Sequence, residues 1–178
     1  QRCMAASVLV AVGDVQSIIK SVVDEAKKLI PGQNLGAITT CSSKERIEGY
    51  ISQAIEQGAT LLLDGRGVVV EGKENGFYVG PTILDNVTPD MAISNQEVFG
   101  PVLSIMHVDT VDEAIALQNK SNYGNGASVF TQSGSIATKV AEELRAGMIG
   151  VNIGVPVPRE PFSFGGWGAG SLSFGFKC

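Results

Sequence analysis

The sequence predicts an α/β protein with a largely parallel sheet flanked by helices. Short apolar runs of strand length alternate with longer segments whose apolar residues recur at helical spacing. Several of the short runs are apolar almost throughout, which is typical of strands covered on both faces. Glycine, proline or Asp-Gly turns separate many of these segments. At 178 residues the chain is long enough to bury a sizeable core.

The first elements are a strand and two helices. Residues 7–12 predict a buried strand, and Asp14 is the expected N-cap of a helix that Pro31-Gly32 ends. A capping box of Ser42 and Glu45 predicts the start of a second helix. Next comes a strand, TLLLDG, which an Asp-Gly turn closes, with GVVVEG as its hairpin or loop continuation.

The second half repeats the alternation of strand and helix. Extended segments are predicted in FYVGPTILDNV, PVLSIMHV, ASVFT and MIGVNI. A helix in TVDEAIALQNKS has a second capping box, Thr110 with Glu113, and a helix in SIATKVAEELRAG is expected to end with Gly147 as its C′ residue. Residues 154–178 are rich in Gly, Pro and aromatics and predict a long ordered loop, with a disordered tail as the alternative.

Composition argues against several classes of function. The net charge is −5 and the thirteen Lys and Arg residues are scattered, so the basic face that nucleic-acid binding needs is not predicted. No apolar run approaches the roughly 18 residues of a membrane span. One histidine and dispersed carboxylates predict no metal site. Cys3, Cys41 and Cys178 lie far apart, which favours a reducing, intracellular setting.

Cys3 is the first candidate functional residue. A lone cysteine is usually a small buried apolar residue, but Arg2 precedes this one and a predicted strand follows it. A fixed positive charge favours thiolate over thiol, and the thiolate is the nucleophile. Loops at the edge of an α/β sheet are also where such folds bind ligands. Cys3 is therefore a candidate nucleophile.

The segment NQEVFGPV provides the second candidate. It places Glu97 and Phe99 on a tight loop before a predicted strand. Most carboxylates on loops have no specific function. A carboxylate can, however, accept hydrogen bonds from both hydroxyls of a vicinal diol such as a ribose, and an aromatic residue can pack on a flat ring.

The glycine-rich segment FSFGGWGAG and the single histidine, His107, give weaker indications of function. The glycines of FSFGGWGAG match no phosphate-binding pattern, and aromatics lining a pocket are the expected use. His107 could form a Cys–His dyad, but it lies within a predicted strand with no orienting group recognisable nearby. A structural histidine with its hydrogen bonds satisfied is the expected role.

Together these segments resemble the aldehyde dehydrogenase superfamily. QRCMA is similar to its nucleophile segment, EVFGPV to its glutamate–phenylalanine motif, GMIGVN to the strand that ends in its asparagine, and FGGW to its aldehyde-tunnel loop. The order and spacing agree along essentially the whole chain. The resemblance implies Cys3 as the catalytic thiol, Glu97 and Phe99 as NAD-binding residues, and Asn152 and Phe164 as substrate-site residues.

A closer likeness within the superfamily is carried by the segments QRCMA, NLGAITT, ENGFYVGPTILDNV, SNYGNGASVFT and VNIGVPVPREPFSF. They most resemble the acylating branch, which oxidises methylmalonate or malonate semialdehyde with NAD and with coenzyme A as co-substrate. The product would be propionyl- or acetyl-CoA, formed through a cysteine thioester. Arg2 would then hold the substrate carboxylate through charge-assisted hydrogen bonds, and favouring the thiolate form of Cys3 is the second role open to it. A hydrolytic aldehyde dehydrogenase acting on another semialdehyde, and a non-catalytic α/β domain for oligomerisation or binding, remain as alternatives.

The resemblance also implies how the chain is organised. Residues 1–153 would be the thiol-bearing catalytic domain and residues 154–178 an active-site loop with a shortened C-terminal segment. The NAD-binding domain, with the oxyanion asparagine and the phosphate contacts, would lie outside the chain, which we expect to be truncated at its N-terminus. The whole enzyme would be a homo-oligomer, cytoplasmic in bacteria or in the mitochondrial matrix in eukaryotes.

Overall fold

The computed structural model describes residues 1–161 and 164–168. The chain divides into two compact units: Gln1–Cys3 with Ser7–His107, and Met4–Ala6 with the chain from Val108 onward. Each unit combines helices with short strands, so the predicted α/β class is confirmed. The predicted division of residues 1–153 from residues 154–178 concerns the domains of the whole protein and stays a prediction.

The first unit is built on a four-stranded sheet of order β1-β4-β3-β2. Strands β3 and β4 are parallel and β2 is antiparallel to β3, which makes the sheet mixed. The main chain also joins β1 to β4, because the Ser104 amide donates to the Ser7 carbonyl at 3.0 Å. The elements are β1 (Val8–Val12), α1 (Gln16–Ala26), α2 (Cys41–Glu56), β2 (Thr60–Leu63), β3 (Thr82–Asp85), α3 (Ala92–Asn95) and β4 (Val102–Val108).

Helix α1 packs on this sheet through its apolar face. Ile19 is buried with Ala11 of β1, Ile83 of β3 and Ile105 of β4, and burying each isoleucine side chain stabilises the fold by about 1.5–3 kcal/mol. The predicted N-cap is wrong by one residue. Val15 occupies the N-cap position without a side-chain cap, while the Asp14 carboxylate accepts a 3.3 Å hydrogen bond from the Gln16 amide.

Helix α2 packs against β3 and α3 through three buried side chains, Ile47, Ile51 and Ala54. The predicted capping box of Ser42 and Glu45 is wrong. The N-cap is Thr40, whose hydroxyl accepts from the Ser43 amide at 3.1 Å.

The second unit contains a parallel strand pair joined by a helical crossover. Strands β6 and β7 are parallel, with α5 between them in sequence, and β5 pairs antiparallel with β8. The capping box of Thr110 and Glu113 at the start of α4 is confirmed. The elements are α4 (Val111–Asn119), β5 (Tyr123–Gly124), β6 (Gly126–Val129), α5 (Gly134–Glu143), β7 (Met148–Val151) and β8 (Trp167–Gly168).

Helix α5 ends earlier than the sequence predicts. It stops at Glu143 with Leu144 as its C-cap, so Gly147 is not the C′ residue. The Asn119 amide group closes this end, since its nitrogen donates to the Glu143 carbonyl and its oxygen accepts from the Arg145 amide. Gly147 instead allows a close approach, because a Cβ there would overlap the Gly165 carbonyl.

The predicted loop from residue 154 is irregular through residue 161, and β8 forms a short strand within it. Residues 162, 163 and 169–178, including Cys178, lie outside the described residues. In the described part of the chain, no helix combines the length and the apolar character that a membrane crossing requires.

Candidate active site

The candidate nucleophile lies in the turn that precedes β1. Cys3 is exposed and its thiol is free. The side chain of the neighbouring Arg2 is also exposed, and it makes no hydrogen bond or ion pair within residues 1–161 and 164–168. Gln1 holds the start of the turn, because its side-chain oxygen accepts a 3.0 Å hydrogen bond from the Thr39 amide. The thiol and the guanidinium are therefore both available to a ligand.

The second candidate lies on the segment between α3 and β4. Glu97 is exposed, and its carboxylate forms no hydrogen bond or ion pair with any described residue. Phe99 is 38% exposed and has a φ of +53°. A bulky residue in this left-handed region costs on the order of 1–3 kcal/mol, and such strain persists only where the surroundings impose it.

The main chain of this segment is held by an arginine that sequence reasoning missed. Nη1 of Arg46, on α2, donates to the carbonyls of Glu97 at 3.1 Å and of Val98 at 2.9 Å. The two partners lie about fifty positions away in the chain. No local pattern marks such a contact, so only a three-dimensional structure could have found it.

Asn152 follows β7 with a φ of +55°. Its side-chain oxygen accepts from the Thr131 amide and its side-chain nitrogen donates to the Thr131 carbonyl, both at 2.9 Å. The amide group therefore extends the pairing of β6 with β7 by one step. Each polar atom of this side chain already has a main-chain partner, and the predicted substrate role of Asn152 stays a prediction.

The predicted site residues are divided between the two units. Arg2, Cys3, Glu97 and Phe99 belong to the first, whereas Asn152 and Phe164 belong to the second. Phe164 is half-buried and directly precedes the two glycines before β8. Its predicted place at the aldehyde site also stays a prediction.

His107 lies in β4 with its hydrogen bond satisfied, as predicted. Its Nε2 is 2.6 Å from Oδ1 of Asp85, at the end of β3. That carboxylate also accepts from the Asn86 amide at 2.8 Å and is largely buried. The sequence showed no partner for His107 because Asp85 comes from a neighbouring strand.

Cys41 is the other described thiol, and it lies beside a carboxylate. It is exposed on the first turn of α2, where its Sγ donates to Oε1 of Glu45. That hydrogen bond, reinforced by the negative charge of Glu45, raises the pKa of the Cys41 thiol. Less of this thiol is therefore ionised at neutral pH.

No group of three or more His, Cys, Asp or Glu side chains able to hold a metal ion occurs among the described residues.

Several curated proteins similar to this chain are named as semialdehyde dehydrogenases. The chain is 47% identical over 172 residues to "Methylmalonate-semialdehyde dehydrogenase [acylating], mitochondrial" of Arabidopsis thaliana, covering 93% of this chain and 28% of the relative. It is 42% identical over 175 residues to "Malonate-semialdehyde dehydrogenase" of Pseudomonas aeruginosa, covering 94% of this chain and 35% of the relative. The chain thus spans about a third of the length of such relatives.

Solved structures agree with the sequence comparison. A Sinorhizobium meliloti protein assigned as methylmalonate-semialdehyde dehydrogenase, solved in complex with NAD, superposes with a TM-score of 0.91 at 40% identity. The match covers 95% of this chain and 36% of that one. The model of the aldehyde dehydrogenase family matches residues 1–174. The chain therefore belongs to the aldehyde dehydrogenase family.

Proposed function

We propose that the full-length protein oxidises methylmalonate or malonate semialdehyde to propionyl- or acetyl-CoA, using NAD and coenzyme A. The observation that carries the proposal is the exposed Cys3 thiol, which directly follows an arginine that has no partner among the described residues. The relatives' names provide independent support, since they specify both a semialdehyde and, for the mitochondrial proteins, an acylating reaction.

Cys3 would act as the nucleophile. Its thiolate attacks the aldehyde carbon, the new C–S bond forms, and the carbonyl electrons move to oxygen. The main-chain N–H of Cys3 is an expected donor to that oxyanion, and one such donor contributes about 3–4 kcal/mol. When hydride leaves the same carbon, the C=O bond re-forms and a thioester remains on Cys3.

Coenzyme A would then complete the reaction. Its thiolate attacks the thioester carbonyl and displaces the Cys3 thiolate, which restores the nucleophile. Loss of the β-carboxylate as carbon dioxide leaves a carbanion that takes up a proton. Two easier steps thereby replace one difficult transfer.

Glu97 and Phe99 would hold the nicotinamide end of NAD. The residues fit this group, because the Glu97 carboxylate is exposed and has no partner in the described structure. A carboxylate of this kind can accept hydrogen bonds from both hydroxyls of a ribose. Phe99 is exposed beside it and can pack on a flat ring. When bound, NAD supplies the acceptor for the hydride.

Arg2 would select substrates that carry a carboxylate. Its guanidinium can form two parallel hydrogen bonds with such a group, and hydrogen bonds to charged groups contribute about 1.5–3 kcal/mol. Two further parts of the proposal concern the whole protein. In a eukaryotic source it would lie in mitochondria, the location given in the names of the eukaryotic relatives. It would also assemble as a homo-oligomer.

The test uses the full-length protein with Arg2→Ala and Cys3→Ala. We expect Arg2→Ala to lower kcat/KM for malonate semialdehyde by about 10- to 100-fold, and to lower it much less for an aldehyde of similar size without a carboxylate. Cys3→Ala should abolish thioacyl-enzyme formation, measured by intact-mass spectrometry after mixing with substrate in the absence of coenzyme A.

Each alternative gives a different result in the same assays. An equal loss for both aldehydes in Arg2→Ala would remove the carboxylate role. Turnover independent of coenzyme A would favour a hydrolytic enzyme. A non-catalytic domain would show no thioacyl adduct, and its Cys3 would react with iodoacetamide no faster than Cys41.

A further inference from the structure

The segment that carries Glu97 is fixed by two adjacent residues of α2. Arg46 donates from a single nitrogen to two successive carbonyls, at 3.1 Å and 2.9 Å. The next residue, Ile47, is completely buried and packs beneath Gly100. A Cβ at Gly100 would lie 2.7 Å from Cδ1 of Ile47, so the segment rests directly on the helix.

The left-handed conformation of Phe99 lies between these two contacts. A phenylalanine does not prefer φ near +53°, so its surroundings must hold it there. The side chain of Val98 is buried, whereas the side chains of Glu97 and Phe99 are exposed. Fixing the main chain at residues 97 and 98 therefore fixes the direction in which the two exposed side chains leave the segment.

Arg46 donates a hydrogen bond to the main chain of Glu97 but, in the described structure, makes none to the Glu97 carboxylate. Within the described residues Arg46 forms no ion pair with any carboxylate, and the Glu97 carboxylate has no cation partner. The arginine can therefore hold the segment without neutralising the group that would contact a ligand. Its planar guanidinium is a rigid donor, which suits this role better than a flexible lysine ammonium.

We propose that Arg46 is a positioning residue for Glu97, and that it sets the affinity for the nicotinamide ribose by holding the carbonyls of residues 97 and 98. This inference rests on the proposed NAD-binding role of Glu97. Arg46 acts through the main chain of the segment and need not touch NAD.

The first measurement is amide hydrogen exchange, by mass spectrometry, on the full-length protein without NAD. We expect Arg46→Met to speed exchange in peptides covering residues 96–100 by about tenfold or more, because the variant loses two hydrogen bonds from a charged donor. Arg46→Lys, which keeps a charged donor, should show a smaller increase. Unchanged exchange in Arg46→Met would overturn the proposal.

Arg66→Met is the matched control. Arg66 also reaches α2, where its Nη1 donates to the Ser52 hydroxyl at 2.9 Å, and it pairs with Asp64. This variant removes the same charge and a comparable contact to the same helix, but none to residues 97 and 98. Exchange over residues 96–100 should match the wild type, and an equal increase there would mean that the effect is general loosening.

The second measurement is NAD affinity, by fluorescence titration of the same variants. Arg46→Met should raise the Kd for NAD about fivefold, and Arg46→Lys should recover most of that loss. Glu97→Gln separates the two hypotheses. If Glu97→Gln weakens binding and Arg46→Met does not, the positioning role is overturned and the function of Glu97 stands. If Glu97→Gln changes nothing, the proposed role of Glu97 itself fails.

Discussion

Three non-glycine residues adopt a left-handed conformation in the part of the chain that the structure describes: Asn86, Phe99 and Asn152. Asparagine adopts this conformation more readily than most residues, and both asparagine side chains are hydrogen-bonded, Asn86 to the Thr60 hydroxyl and Asn152 to the Thr131 main chain. Phe99 has no such compensation. The strain at Phe99 therefore requires support from elsewhere in the fold, and Arg46 and Ile47 are the residues that contact the neighbouring main chain.

Gly100→Ala tests how tightly α2 supports this segment. A Cβ at residue 100 would lie within 3.0 Å of three side-chain atoms of the fully buried Ile47. We expect a loss of about 1–3 kcal/mol in the free energy of unfolding, as overpacking typically costs, together with weaker NAD binding by the full-length protein. Urea denaturation followed by circular dichroism measures the stability.

Gly49→Ala is its control on the same helix. Nothing lies within 4 Å of a Cβ at that position, so alanine should stabilise the helix by about 0.5–1 kcal/mol. Equal destabilisation by both variants would mean that a methyl group against Ile47 costs no more than one in open space. That result would contradict tight packing between Gly100 and Ile47.

The residues of the candidate site could be selected from sequence, but their partners could not. Cys3, Glu97 and Phe99 stand in short contiguous motifs that local reasoning recognises. Arg46, Asp85 and Thr131 contact their partners across gaps of 21 to 52 positions. Such contacts depend on how elements pack, and periodicity contains no information about them.

At the scale of elements, the errors concern helix ends, and the direction of single strands was not predicted. The segment TTCSSKE offers three overlapping frames in which a hydroxyl residue precedes a polar residue by three positions. Thr40 has the extended backbone of an N-cap, with φ −142° and ψ 157°, whereas Ser42 already lies inside α2. Strand β2 runs antiparallel to its one neighbour in this sheet, β3, whereas β3 and β4 are parallel to each other. The apolar pattern of a segment predicts that it forms a strand, but it does not predict whether that strand runs parallel or antiparallel to its neighbour.

Thr40→Ala and Ser42→Ala distinguish the two caps. Removing the Thr40 hydroxyl leaves the Ser43 amide without its 3.1 Å acceptor, so we expect a loss of about 1 kcal/mol in the free energy of unfolding. Ser42→Ala loses only a hydroxyl–hydroxyl contact at 3.2 Å and should change stability by less than about 0.5 kcal/mol. Thermal and urea denaturation measure both. A larger effect at Ser42 would restore the cap predicted from sequence.

At the scale of the whole molecule, the alternation of apolar runs was sufficient to predict the class of the fold. The strand and helix segments were also found in the predicted order. The arrangement of the described strands in three separate sheets was not predicted. Which strands share a sheet depends on long-range pairing, to which short-range apolar periodicity is insensitive.

The final prediction concerns the 178-residue chain on its own. It contains a candidate nucleophile and a candidate carboxylate for the nicotinamide ribose, but it spans about a third of its relatives' length. If the family resemblance holds for the whole protein, the phosphate contacts of NAD and the oxyanion asparagine would belong to the rest of that protein. We therefore expect the isolated chain to form no NADH from malonate semialdehyde, NAD and coenzyme A, as measured by NADH absorbance.

The same assay on the full-length protein provides the positive control, and circular dichroism of the isolated chain establishes whether it has folded. The Cys3→Ala form of the isolated chain defines the background. NADH formation that depends on Cys3 in the isolated chain would contradict the prediction. It would mean that Glu97 and the neighbouring segment bind NAD strongly enough to support hydride transfer without any contact to the phosphates.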